Sequence, residues 1–283
     1  MMPKLNIKSC IPSFHERFHA VLSKAHLYFT SEGAPLLDMG CGEGEYSFRL
    51  AEKFNVTGID INSEDIKYCR LLKAATDVKV VFLCRDATAS QLPDAGFQYA
   101  ISVDVVEHLS DVEALLQEAH RLLRPGGIFI LTFPSIKYPF TYDPVNKIID
   151  VLSYSKRHFP LGAYGYGHRQ LIDPSALTAL LRKQSFSIIE QQGLTFYLSG
   201  FLEMYWASIL QKIFKHNSGN AMTVSGQKQH GLTAKKWSSA LRKLFSPLLV
   251  PIYYSVTFCN FADRIIFSKG KRSVGMLIVA RKE

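Results

Sequence analysis

The chain has 283 residues, 47% of them hydrophobic and 20% charged, with 18 Gly and 12 Pro. That length suits one large domain, and the composition excludes a disordered scaffold, a collagen-like repeat and a coiled coil. Its 33 Lys and Arg against 24 Asp and Glu give a formal net charge of +9, and the whole excess lies in residues 190–283, which hold 13 basic and four acidic residues.

The first residues, MMPKLNIKSCIPSFHERFH, show no uninterrupted apolar run and no small-residue cleavage site, so no secretory leader is expected. Ser13 with Glu16 three positions on reads as a capping box, and Phe14, Phe18, Val21, Leu22 and Ala25 share one face, which predicts a helix over 13–29. His15, Glu16 and His19 also match HExxH, the spacing that puts two zinc ligands and a base on one helical face. Glu16 already has a capping duty and no third ligand follows, so a surface helix with two histidines is the preferred reading and no metal site is assigned. Five cysteines, Cys10, Cys41, Cys69, Cys84 and Cys259, form no pair of ligand spacing and point to a reducing, cytoplasmic setting.

From residue 35 short apolar runs alternate with helical stretches, the order of a parallel sheet covered on both faces. Strands are predicted at 35–39, 56–60, 78–84, 97–103 and 127–133, with helices at 45–54, 63–75 and 112–123. A Tyr-, Pro- and Gly-rich stretch over 134–172 is too long for a passive connection, and loops of that length are usually functional. Asp173 and Pro174 then read as N-cap and first residue of a helix to about 183. A sixth strand follows at 185–192 and a seventh at 273–280. Between them lie two apolar blocks, 194–210 and 244–262, flanked by Lys212, Lys215, Arg242, Lys243, Lys269, Lys271 and Arg272. The second block approaches the length of a bilayer span, yet Pro247, Pro251 and Asn260 argue for an interfacial helix or a buried helical subdomain. These charges flank apolar blocks and form no polar stripe with stackable aromatics, which disfavours nucleic acid as the partner.

The segment PLLDMGCGEGEYSFRLAEKFNVTGIDIN carries the chemistry. A buried strand ends at Asp38, and Gly40, Gly42 and Gly44 turn the chain into a helix, where glycine permits positive φ and close approach of a ligand. Asp60 closes the second strand, the position from which a carboxylate holds both hydroxyls of a ribose. The GxGxG spacing departs from the GxGxxG of nicotinamide-binding proteins. With LLDMGCGEG, GID, CRDA at 84–87, SVDVVEHL at 102–109 and RLLRPGGIFILTFP at 121–134 in order, the sequence resembles the class I S-adenosylmethionine-dependent methyltransferases, in the branch acting on small molecules, quinones, lipids and glycans.

The resemblance implies an α/β fold: a doubly wound, Rossmann-like seven-stranded sheet of order 3-2-1-4-5-7-6 with the last strand antiparallel. A single domain over 1–283 is expected, with an N-terminal helical cap at 1–33, the core and its acceptor loop over 34–193, a basic apolar helical insertion at 194–270 and the last strand at 271–283. It also implies that Asp38, Gly40, Cys41, Gly42 and Gly44 line the methionine end of S-adenosyl-L-methionine. Asp60 would hold the ribose, Ile61 would flank the adenine, Asp86 and Ala87 would meet its edge, and Val103 and Asp104 would lie on the cofactor side of the fourth strand. His108, just past that strand, is the first candidate for a general base, and His168 in the acceptor loop is the second. Tyr138, Tyr142, Tyr164 and Tyr166 are candidates for the acceptor pocket or for aromatic packing.

The expected activity is O-methylation of an apolar or lipid-linked acceptor at the cytoplasmic face of a membrane, contacted through residues 194–270, with no metal required. One alternative is a soluble small-molecule methyltransferase whose insertion is a lid or dimer contact. Another is a non-catalytic membrane- or partner-binding protein that keeps the fold.

Overall fold

The structure, a computed structural model, describes residues 7–152, 162–164, 169–204, 239–268, 270 and 272–283. Two compact units emerge: one built from Met1–Arg17, Lys137–Leu171 and Gly193–Gly275, the other from Phe18–Ile136, Ile172–Gln192 and Met276–Glu283.

The second unit holds the sheet. Its strands are β1 (Pro35–Met39), β2 (Asn55–Asp60), β3 (Val80–Cys84), β4 (Phe97–Val103), β5 (Leu123–Pro134), β6 (Phe186–Leu194) and β7 (Gly275–Lys282), in the order β3-β2-β1-β4-β5-β7-β6 expected from the resemblance. β1 pairs in parallel with β2 and β4, β2 with β3, and β4 with β5. Hydrogen bonds from Glu283 N to Ser185 O and from Val274 N to Thr195 O set β7 antiparallel to β6. The helices α2 (Glu45–Leu50), α3 (Ser63–Ala74), α4 (Val112–Leu122) and α6 (Pro174–Lys183) connect the strands. Leu36, Leu37 and Met39 of β1 are all fully buried, as a central parallel strand covered on both faces requires.

Local chemistry starts these helices where the sequence indicates. Asn62 accepts from Glu64 N to begin α3, Asp111 accepts from Ala114 N to begin α4, and Asp173 accepts from Ser175 N with Pro174 in the first turn of α6. In α4, Leu115, Leu116, Ala119 and Leu122 turn inward at helical spacing. β5 begins earlier than its apolar run suggests. Phe97 pairs with Leu123 and Tyr99 with Ile128, so residues 124–127 form a bulge, with Gly126 at φ +74.

The first unit contains α5 (Pro144–Leu152), α7 (Tyr197–Leu202) and α8 (Ser239–Phe267). α1 (Pro12–Tyr28) enters it with its first turns, and here one sequence expectation fails. Ser13 and Glu16 form no capping box: Ser13 N and Oγ donate to the Glu203 carboxylate at 2.7 and 2.8 Å, while Glu16 accepts from Thr195 N and Oγ1 at 2.5 and 3.0 Å. His15 and Glu16 are also buried and not on a surface helix; the His15 ring lies against Ser9 O at 3.2 Å and Thr257 Oγ1 at 3.3 Å. Distant partners outcompete the local cap because burial makes each unpaired polar group costly, and only the tertiary fold supplies partners for all of them.

Burial pushes the Glu16 carboxyl above its usual range, against the Arg264 guanidinium 3.3 Å away. Asp263 of α8 performs the most local work, accepting from Phe196 N, Leu198 N and Ser199 N at 2.9, 3.0 and 3.1 Å and so capping α7 from outside. The segment of the acceptor loop at 137–152 belongs to this unit, with Tyr138 and Tyr142 buried beside Ala163 and Val274. Their role there is packing, with ring centroids 6.1 Å apart. Among the described residues no helix is long and apolar enough to cross a membrane.

Replacing Asp263 with Ala leaves three amides, two of them buried, without their acceptor. An Asp263→Ala variant is expected to lose about 3 kcal/mol of stability, read as a lower urea midpoint at unchanged slope.

Candidate functional site

The parallel strands β1, β2 and β4 end at one edge of the sheet, since Met39 is level with Ile59 and Asp38 with Ile101. In an open α/β sheet that carboxyl edge is where ligands bind. Gly40, Gly42 and Gly44 have φ of +79, +49 and +81, so the turn after β1 needs residues without a Cβ. A Cβ on Gly40 would lie 2.4 Å from Val105 Cγ2, whereas one on Gly42 would meet nothing within 4 Å. Gly40 therefore sits tight against the chain that follows β4, and Gly42 borders open space.

The turn is tied to β2 through its backbone. Gly40 N and Cys41 N both donate to Ile59 O, at 2.8 and 2.9 Å, and Gly42 N donates to Asp60 Oδ2 at 2.8 Å. Asp60 Oδ1 accepts from Asn62 N at 2.8 Å. Each carboxylate oxygen is fixed by one amide and keeps acceptor capacity, which is what recognition of two adjacent hydroxyls demands. Ile61, next in the chain, is 73% exposed, an apolar side chain left uncovered beside this carboxylate.

Asp38 lies beneath the turn, buried and accepting from Ser47 Oγ at 2.6 Å. Burial raises its carboxyl to about 7, against the opposing effect of the Ser47 hydrogen bond and with help from the negative charges of Asp60 and Glu45. Cys41 turns its thiol inward, where a Cβ on Gly58 would come within 3.0 Å of it. Its pKa is driven strongly upward, first by its hydrogen bond with Cys69 and then by burial, so this thiol stays protonated and is no nucleophile.

The remaining predicted residues flank this edge. Asp86 is exposed, its Oδ1 accepting from Thr88 N and Oγ1 at 2.8 and 2.7 Å, and Ala87 beside it is buried. Val103 ends β4, and Asp104 follows in the left-handed region at φ +53, held by Thr132 Oγ1 donating to its Oδ1 at 2.8 Å. His108 closes the short helix Val106–His108, and its Nε2 lies 3.9 Å from an oxygen of the buried Glu107. His168 lies outside the described residues, as does Tyr166.

Several supporting residues escape a sequence reading. Cys69 of α3 donates to Gly42 O at 3.3 Å and steadies the turn from the helix side. Glu118 of α4 is buried and accepts from Ser90 N and Oγ at 2.8 and 2.6 Å, while Arg121 bonds Glu118, Leu92 O and Asp94. That network pins the connection after β3, which carries Asp86 and Ala87. Charged residues on an amphipathic helix ordinarily face solvent, so nothing in the local pattern of α4 marks Glu118 as internal.

Residues 37–131 match the family model described as a methyltransferase domain. A ubiquinone biosynthesis O-methyltransferase from Mesorhizobium japonicum is 32% identical over 171 residues, covering 58% of this chain and 64% of the relative. The chain thus spans under two thirds of that relative's length. Among solved structures, a SAM-dependent methyltransferase from Methanosarcina mazei superposes with a TM-score of 0.55 at 17% identity, covering 92% of this chain and 96% of the other. The cyclase SpnF superposes at 0.57 and 18% identity over 94% and 80%. A cyclase among these structures shows that the likeness reports the fold and leaves the chemistry to the site.

Two outcomes follow from this geometry. Gly40→Ala forces an Ala into φ +79 against Val105 and is expected to cost about 2 kcal/mol or more, measured by thermal or urea unfolding. Asp38 holds its proton more tightly folded than unfolded, so its contribution is fully present below about pH 4 and is lost as pH rises through about 7. The stability of the natural chain relative to Asp38→Asn is therefore expected to fall by up to about 4 kcal/mol across that window, read from urea titrations at its two ends.

Proposed function

We propose that this chain is a class I S-adenosylmethionine-dependent methyltransferase that O-methylates an apolar or lipid-linked small molecule at a membrane surface. The observation that carries the reading is Asp60, fixed by two backbone amides beside an open glycine turn and keeping acceptor capacity on both oxygens. Those features fit an adenosyl ligand: Asp60 holds the ribose hydroxyls, exposed Ile61 covers one face of the adenine, and Asp86 with Ala87 meets its edge. Gly40, Gly42 and Gly44 let the methionine portion approach the backbone above Asp38 and Cys41. Val103 and Asp104 border the same edge from β4.

Bound S-adenosylmethionine supplies a methyl carbon already activated by its sulfonium, so positioning of the acceptor provides most of the acceleration. What remains for this chain is a proton. His108, 3.9 Å from the buried Glu107 carboxylate, takes it from the acceptor hydroxyl. His168, in the acceptor-loop sequence, is the second candidate for contact with the acceptor.

The similarity to a ubiquinone biosynthesis O-methyltransferase favours a quinone or its phenolic precursor over an isoprenoid or a lipid-carried glycan. The basic excess of residues 190–283 and the apolar block within them favour a membrane-held acceptor over a freely dissolved one.

Calorimetric titration with S-adenosylmethionine and S-adenosylhomocysteine is expected to give micromolar binding, with NAD and zinc silent. Asp60→Ala is expected to weaken adenosyl binding by about ten- to a hundredfold; unchanged affinity would remove the assignment. With a phenolic acceptor, His108→Ala is expected to lower kcat by about a hundredfold while S-adenosylhomocysteine affinity stays put. A parallel loss of that affinity would instead make His108 part of the cofactor pocket.

A further inference from the structure

The helix α8 buries two polar residues while leaving large apolar ones exposed. Its buried positions are Val256, Asn260, which donates to Pro12 O at 3.1 Å, and Asp263, which caps α7. Its outward face carries Val250, Tyr254, Phe258, Phe261, Ile265 and Ile266; the two phenylalanines are 69% and 61% exposed and the two isoleucines 66% and 65%. Positions 250, 254, 258, 261 and 265 recur every three or four residues, which makes one continuous stripe along the helix. A helix facing water would place these residues the other way round. α7, packed on α8 through Tyr197 and Phe267 at 4.8 Å, adds exposed Leu198 and Phe201.

Charge identifies what meets the stripe. Between Ser239 and Gly275 the chain holds Arg242, Lys243, Arg264, Lys269, Lys271 and Arg272, and its single acidic residue is Asp263. Asp263 is fully buried, so no acid of this segment is presented outward, whereas Arg264 and Arg272 are exposed. An apolar stripe on a segment whose exposed charges, among the described residues, are both basic is complementary to an anionic lipid surface, where the side chains enter the acyl boundary and the basic groups meet phosphates. A protein partner would need a matching apolar groove rimmed by acids, while a lipid surface supplies both features at once.

We propose that the outward face of α8, led by Tyr254, Phe258, Phe261 and Ile265, is a docking surface for anionic lipid that seats the protein in the interface plane without crossing it. The inference rests on the reading of a membrane-held acceptor and names the surface that makes the contact.

The test is flotation of the purified full chain with vesicles of phosphatidylcholine alone and of phosphatidylcholine with about one third phosphatidylglycerol. The natural chain is expected to float with the anionic vesicles, less so as salt is raised. Phe258→Ser combined with Ile265→Ser changes two exposed side chains and is expected to weaken that binding by about tenfold or more, with circular dichroism unchanged. Equal flotation of variant and natural chain, or no flotation of either, overturns the proposal. So does a dimer in sedimentation that depends on the stripe and forms in place of lipid binding.

Adenosyl binding and methylation of a short, water-soluble quinol are measured on the same preparations. Methylation without flotation sinks the docking surface and leaves the methyl transfer standing, and flotation without adenosyl binding sinks only the enzymatic reading.

Discussion

The carboxylate of Asp60 is the constraint on which the candidate site depends. It accepts the amide of Gly42 from the preceding turn and that of Asn62 from the following one, both at 2.8 Å. One side chain thus joins the exit of β1 to the exit of β2 and fixes where the open space over Gly42 lies. Charge-assisted bonds of this kind are stronger than neutral ones, and an aspartate in that role arrives oriented before any ligand does. On the proposed reading the oxygens that build the turn are also the ones offered to a ribose, so folding and recognition would use a single group.

Around this centre the buried polar groups form a chain of supports. Asp38 with Ser47 holds the floor of the turn, Cys69 holds the Gly42 carbonyl, and Thr132 holds Asp104 in its left-handed conformation. Glu118, Ser90 and Arg121 fix the connection that bears Asp86. The structural unit containing α8 uses the same principle for a different end. Glu16, Glu203 and Asp263 are buried carboxylates, and each is matched to backbone amides. Buried charge is tolerated where hydrogen bonds satisfy it, and placing it on the inner face of α8 frees the outer face for apolar residues.

Sequence periodicity located nearly every strand within a few residues, because a buried parallel strand is a short apolar run bounded by turn residues. β4 and β1 coincide with their apolar runs. The boundary of β5 did not follow, since Pro125 and Gly126 precede its apolar run and yet sit within a bulged strand whose pairing starts at Leu123. The capping box at Ser13 and Glu16 failed for another reason. Its letters are right, but the competing partners Glu203 and Thr195 lie about 180 to 190 positions away, beyond the range over which a local motif carries information.

The sequence by itself determined the sheet class, the glycine turn and the position of Asp60, because glycine's access to positive φ and the alternation of strand and helix are local properties. It also set the sign of the charge in the last third. Only the tertiary structure decided which side chains turn inward: that Cys41 points into the core, that Glu118 pins a distant loop, that His15 and Glu16 are buried, and that α8 shows phenylalanine and isoleucine outward while hiding its aspartate. Burial is a property of what packs against a residue, and the residues that pack there are drawn from parts of the chain that no local pattern connects.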